Sequence, residues 1–149
     1  MDVRECLERG LLKEDAPDSK KAERSLAVAK FRLSKAAKLL AAGFSDDAVV
    51  NAYSAMFHAG RSLLFKDGFR EKSHYGLYVY VSERYKERLE PRFISELDSL
   101  REVRHAIMYS LERIAVSHSE ANDILMTARN FVSAVEKIVA GRLRRQNAD

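Results

Sequence analysis

Cysteine is nearly absent. Cys6 is the one thiol in 149 residues, so no internal disulfide can form and no zinc-type Cys/His spacing exists. Tryptophan is missing, and there are only two prolines and six glycines. Helix breakers are therefore rare and act as punctuation, falling mostly where helices should begin or end. No stretch approaches the roughly 18 consecutive apolar residues that a membrane helix needs. The opening Met1-Asp2-Val3-Arg4-Glu5 lacks the basic-then-apolar layout of a secretory signal. The expected setting is the cytoplasm, away from membrane.

What is present is ordinary for a folded protein: 46% hydrophobic and 32% charged residues, too apolar for disorder. A chain of this length fits one domain, 1–149, with a core over about 19–139. The formal net charge is +4 and the pI about 9.2. A basic balance favours polyanionic partners, because lysines and arginines release counterions from phosphates. The plainer reading is that this excess keeps the protein soluble.

Helical periodicity dominates, and no strand-like alternation persists. A short N-terminal helix, about Val3 to Arg9, ends at Gly10. Ser19 opens a helix to about Ala42 with Leu26, Ala29, Leu33, Ala36, Ala37 and Leu40 on one stripe. Ser45-Asp46-Asp47 starts the next, to about Lys66. Its apolar and small residues on almost every side mark it as the central helix. Ser73 caps a fourth through about Leu89. Pro91 begins a fifth through about Arg113, and a last runs from Ser117 or Ser119 to about Gly141. Short connections make consecutive helices antiparallel neighbours. The expected fold is all-α: an up-and-down bundle of four to five main helices, with the basic tail Arg142, Arg144 and Arg145 complementing the last helix's dipole, contact with nucleic acid being the alternative.

The fifth helix carries the anomaly. Its buried stripe should be Phe93, Leu97, Leu100, Met108 and Leu111, and Arg104 falls inside it. An unpaired guanidinium on a core-facing stripe costs several kcal/mol. Either Arg104 snorkels or pairs with a carboxylate, or it is kept for a ligand. Arg101 lies one turn earlier and Tyr109 five residues later.

The run Asn51-Ala52-Tyr53-Ser54-Ala55-Met56-Phe57-His58-Ala59-Gly60-Arg61, followed by Gly68 and Ser73-His74, resembles the HEPN superfamily in its small prokaryotic branch. Leu100-Arg101-Glu102-Val103-Arg104-His105-Ala106-Ile107-Met108-Tyr109 is similar to that branch's second signature, an arginine pair followed by a tyrosine. The resemblance spans about Ser19 to Val139. It implies a bundle that dimerises with its two signature helices facing each other, and proteins that cut or bind RNA or bind nucleotides. Many are paired with a small nucleotidyltransferase in toxin–antitoxin-like modules. Ribonucleases of the superfamily act without metal through an arginine and a histidine separated by roughly four to six residues. Arg104 matches that arginine, but Tyr109 occupies the histidine position, His105 follows the arginine directly, and Arg101 to His105 is one residue short.

Metal-free RNA cleavage needs a base for the 2′-hydroxyl, an acid for the leaving oxygen and positive charge on the phosphorane. Arginine supplies the last. Histidine suits the first two, whereas a tyrosine hydroxyl, ordinarily near pKa 10, is a poor base. Tyr109 thus weakens the nuclease reading and leaves phosphate binding intact. As the resemblance also implies, it is a candidate for adenylylation. Arg104, Tyr109 and His58 are the catalytic candidates, His58 by reaching the Arg104 pocket. Arg101, Arg104, His105, Arg61 and His74 are the nucleotide- or RNA-binding candidates. His58 and His74 also fit plain packing or capping roles. Tyr75, Tyr78, Tyr80 and Tyr85 read as packing or dimer contacts, with base stacking the alternative. Glu71-x-x-His74 and Glu102-x-x-His105 show di-iron spacing but lack inward glutamates on two further helices, so neither metal nor cofactor is expected. The expected function is an RNA- or nucleotide-binding protein, with metal-independent ribonuclease activity as its catalytic form, working as the toxin-like half of a two-protein module. The alternative is a non-catalytic homodimer that docks a nucleotidyltransferase.

Overall fold

Ser45–Asp67 (α3) sits at the middle of the molecule because nearly every side of it is apolar or small. Ala48, Val49, Ala52, Tyr53, Ala55, Met56, Ala59, Gly60, Leu63 and Leu64 are all buried. In the computed structural model the backbone is described for residues 1–148 and the side chains for residues 1–141. Around α3 lie Val3–Glu8 (α1), Ser19–Ala41 (α2), His74–Tyr85 (α4), Pro91–Tyr109 (α5) and His118–Ala148 (α6). Among the described residues the protein is an all-α bundle with five main helices and one short one. The side chains of Arg142, Arg144 and Arg145, expected to complement the end of the last helix, lie outside the described residues.

The widest interface joins α2 to α3, and α6 closes over both. Asp18 N donates to Phe65 O at 2.9 Å, Ser25 Oγ to His58 O at 2.6 Å, and Arg32 Nη1 to Asn51 Oδ1 at 3.3 Å. These contacts advance along α2 while receding along α3, so the pair is antiparallel. The expected α2 stripe is on the core side: Leu26, Ala29, Ala36 and Leu40 are buried, with Leu33 and Ala37 packed at its edge. The start of α2 shifts by one residue. Asp18, not Ser19, is the cap, its carboxylate accepting from Lys21 N. Gly68 ends α3 in the left-handed region at φ 87°, the conformation that favours glycine.

Three expectations on the elements need correction. A two-stranded antiparallel ladder exists, Leu12–Glu14 (β1) with Phe69–Glu71 (β2), pairing Leu12 with Glu71 and Glu14 with Phe69. It ties the N-terminal segment to the α3–α4 connection, and Lys72 N extends it by donating to Leu11 O at 3.0 Å. The fifth helix stops at Tyr109 rather than near Arg113. Phe93, Leu97 and Leu100 are buried as expected, but Met108 is 51% exposed and Leu111 fully exposed. The fourth helix likewise ends at Tyr85, short of Leu89, though Leu89 is buried.

At the α3–α4 corner a polar knot is buried with the core. Asp67 accepts from Lys66 Nζ at 2.6 Å, Tyr80 Oη at 2.8 Å and Tyr85 Oη at 2.6 Å. Burial alone would raise its pKa, but these donors outweigh burial and hold the carboxyl below its usual range. Tyr80 and Tyr85 thus pack, while Tyr75 and Tyr78 are half-buried nearer the surface. Among the described residues, no helix is long and apolar enough to cross a membrane.

Candidate phosphate-binding site

His74 is placed by a cap. Ser73 is extended, its hydroxyl accepts from Gly76 N at 2.8 Å, and α4 begins with His74. The ring is then held from two sides. Phe57 of α3 stacks on it with centroids 4.2 Å apart, and Tyr53 Oη lies 2.8 Å from Nδ1. Tyr53 is 2% exposed. Burial pushes its hydroxyl up to about 12 despite Arg104 and Arg101 nearby, so it stays a neutral phenol. Burial, then the charges of Arg104 and Arg101, lower the pKa of His74. A neutral imidazole beside two guanidinium groups is the outcome near neutral pH.

Those arginines come from α5, one turn apart on the face turned toward α4. Arg101 donates to Asp98 Oδ1 at 3.1 Å and its guanidinium lies 5.4 Å from the centre of the Tyr75 ring. Arg104 is half-buried. His74, Tyr75, Arg101, Glu102, Arg104 and His105 line one cavity of about 430 Å³. On the far side of His74 and Arg104 lies a second, of about 240 Å³, walled by Arg32 and Lys35 of α2 and Asn51, Tyr53, Ser54 and Phe57 of α3. His74 and Arg104 form the partition between the two. Arg104 therefore neither merely snorkels nor sits in the core: the expected core stripe gives way to cavity at this position.

The structure thus brings together Arg101, Arg104, His105 and His74. The other three candidates do not line that cavity. His58 and Arg61 line a third cavity with Lys21, Arg24, Ser25, Val28 and Phe65. There Arg61 pairs with Glu71 at 2.6 Å and packs over Phe65 at 5.1 Å. His58 does not reach the Arg104 cavities; the Phe57 ring stands edge-on to His58 and face-on to His74. Burial, followed by the charges of Arg61 and Arg32, pushes His58 down to about 4. Tyr109 is 62% exposed at the end of α5, its ring 4.9 Å from that of His105. Glu71 of the di-iron spacing is engaged by Arg61, and among the described residues no three His, Cys, Asp or Glu side chains converge as a metal ligand set.

Sequence reasoning missed Tyr53, Arg32, Lys35 and Asn51 as lining residues. Finding them needed the packing of α2, α3 and α4 to be known.

A small helical bundle with an arginine-lined cavity between its fourth and fifth helices is the class that fold and site define. The HEPN domain model matches residues 22–138, and the chain belongs to that family. It is also 31% identical over 116 residues to "Putative toxin MJ0605" of Methanocaldococcus jannaschii, a stretch covering 74% of this chain and 82% of the relative.

Proposed function

We propose that the chain is an RNA-directed HEPN protein whose two cavities around Arg104 hold phosphate, and that it acts as the toxin-like half of a two-protein module in the cytoplasm. The observation that carries this reading is the convergence of Arg101, Arg104, His74 and His105 on one cavity. Two fixed positive charges suit a phosphodiester and the dianionic phosphorane formed from it. The toxin-like role rests on the archaeal relative's name.

Cleavage follows from the same residues. With Nδ1–H donating to Tyr53 Oη, the Nε2 lone pair of His74 takes the proton of the 2′-hydroxyl. The 2′-oxygen bonds to phosphorus, the bond to the 5′-oxygen breaks, and that oxygen receives a proton from His105 across the cavity. Arg104 and Arg101 neutralise the phosphorane. His74 thereby fills the base role left open by the replacement of the motif histidine with Tyr109. Incubating a mixed RNA pool in EDTA tests this. Cleavage by wild type should fall at least about 100-fold in Arg104→Ala and in His74→Gln; equal cleavage by all three proteins sinks the site.

A second reading has its own support. Tyr109 is exposed beside Met108 and Leu111, also exposed, leaving an accessible phenol on an unpartnered apolar edge. On this reading the chain is a non-catalytic homodimer that docks a nucleotidyltransferase and accepts an adenylyl group on Tyr109 Oη, with pyrophosphate leaving from ATP. Mass spectrometry after co-expression with such a transferase should show the adduct on wild type and none on Tyr109→Phe.

A further inference from the structure

The third cavity, lined in part by His58 and Arg61, has no role in the site described above, yet like the cavity at Arg32 and Arg104 it is walled by α2 and α3. On α2, Lys21, Arg24, Val28, Arg32 and Lys35 recur at spacings of three and four and so share one face. On α3, Asn51, Ser54, His58, Arg61 and Phe65 do the same. Because the helices are antiparallel, these two faces flank one furrow. Its upper part is the cavity of about 240 Å³ at Arg32, Lys35 and Arg104; its lower part is the cavity of about 200 Å³ at Lys21, Arg24 and Arg61.

Charge and shape in the furrow agree. Among the described residues six cations line its two cavities and no carboxylate lines either; Glu71, which lines neither, is engaged by Arg61. Aromatic rings are interleaved: Phe57 lines the upper cavity, Phe65 the lower, with Lys21 Nζ 5.8 Å and the Arg61 guanidinium 5.1 Å from the centre of the Phe65 ring. Phe31, 62% exposed, stands beside the Arg32 guanidinium on α2. From Lys21 to Lys35 the helix rises about 21 Å, enough for several consecutive phosphates and far more than one nucleotide needs. A basic track with interleaved aromatic faces is the arrangement that holds single-stranded nucleic acid without reading its sequence.

We infer that the ligand is an extended single strand of RNA whose backbone runs along the α2–α3 groove, entering at Lys21 and Arg24 and delivering one phosphodiester to Arg104. This rests on the reading of the Arg104 cavities as a phosphate site and adds the length and path of the substrate. The test measures binding of fluorescently labelled oligouridylates, a dinucleotide and one of about ten residues, across a salt series. Wild type should bind the longer strand at least about tenfold more tightly. The double variant Lys21→Gln/Arg24→Gln should lose at least about tenfold more affinity for the long strand than for the dinucleotide. Its salt slope on the long strand should fall by about 1.4, as two lost phosphate contacts on a single strand require. Arg24 is exposed and Lys21 half-buried, and an unchanged melting temperature confirms an intact fold. Equal affinity for both lengths, or a double variant that binds the long strand like wild type while Arg104→Ala abolishes binding, overturns the groove and leaves the Arg104 site standing. Absence of binding to either strand overturns both. Displacement of the long strand by poly-glutamate as effectively as by unlabelled RNA overturns the RNA assignment in favour of an acidic protein partner.

Discussion

The two histidines of the α3–α4 corner show how much environment decides what one residue type does. His74 lies in the wall of two cavities with a phenol on one nitrogen and arginines in front of it. His58, on the opposite side of Phe57, faces a cavity shared with Arg61 and packs by its backbone carbonyl against Ser25. For His58 the stability consequence has a definite sign. Its folded pKa of about 4 lies below the ordinary 6.5, so between those values the unfolded chain binds a proton that the folded chain refuses. Stability is therefore unaffected above about pH 6.5 and falls as pH drops toward 4. The ring is half-exposed to solvent screening, so the loss is on the order of 1 kcal/mol rather than the full shift. Urea unfolding of wild type and His58→Gln at pH 7.5 and pH 5 checks this: the variant should lose less stability on acidification. Equal losses would mean that His58 titrates normally in the folded protein.

At the scale of elements, periodicity reported which residues share a face but not whether anything covers that face. The stripes of α2 and α3 were legible because each meets a long neighbour. Met108 and Leu111 fitted the α5 stripe equally well and are exposed: Met108 lies in the last turn of α5, and Leu111 lies beyond its end at Tyr109. The strands were invisible because three residues of Leu-Lys-Glu or Phe-Arg-Glu are too short to show a period of two. Arg104 could be singled out as a charge on an expected buried stripe with Arg101 one turn earlier, whereas the pairing of Tyr53 with His74 depends on how α3 meets α4. The strand ladder also explains a glycine. Helix propensity alone makes Gly76→Ala in the first turn of α4 favourable by up to about 1 kcal/mol. A Cβ there would stand 2.3 Å from Leu11 O, the carbonyl that accepts from Lys72 N. Backbone cannot yield as a side-chain tip can, so the overlap wins, and the substitution should destabilise by about 2 kcal/mol. Thermal unfolding measures it; a stabilised variant would show that the approach of the N-terminal segment to α4 is loose.

For the molecule as a whole, the question is what holds the α4 wall of the Arg104 cavities in place. The stretch matched by the family begins at residue 22, which suggests that everything before it is dispensable. Burial argues otherwise. Val3, Cys6 and Leu12 are 2%, 0% and 2% exposed and belong to the same core cluster as α3 and α4. Val3 N donates to Glu83 Oε1 at 3.3 Å, and β1 pairs with β2 immediately before α4, so the N-terminal segment adds a brace to the packing of that helix on α3 and α5. Three apolar side chains returned to water cost on the order of 5 kcal/mol as an upper bound, and a chain of this size loses roughly 2–4 °C of melting temperature per kcal/mol. Deleting residues 1–14, which leaves the Asp18 cap of α2 intact, should therefore lower the melting temperature by several degrees and by no more than about 20 °C. It should also weaken Arg104-dependent RNA binding at temperatures where the bundle is still folded, because His74 is carried on the helix that loses its brace. A truncated protein that melts like the full chain would show that α4 is anchored by α3 and α5 alone. One that melts early yet binds RNA as before would separate the stability of α4 from the geometry of the site.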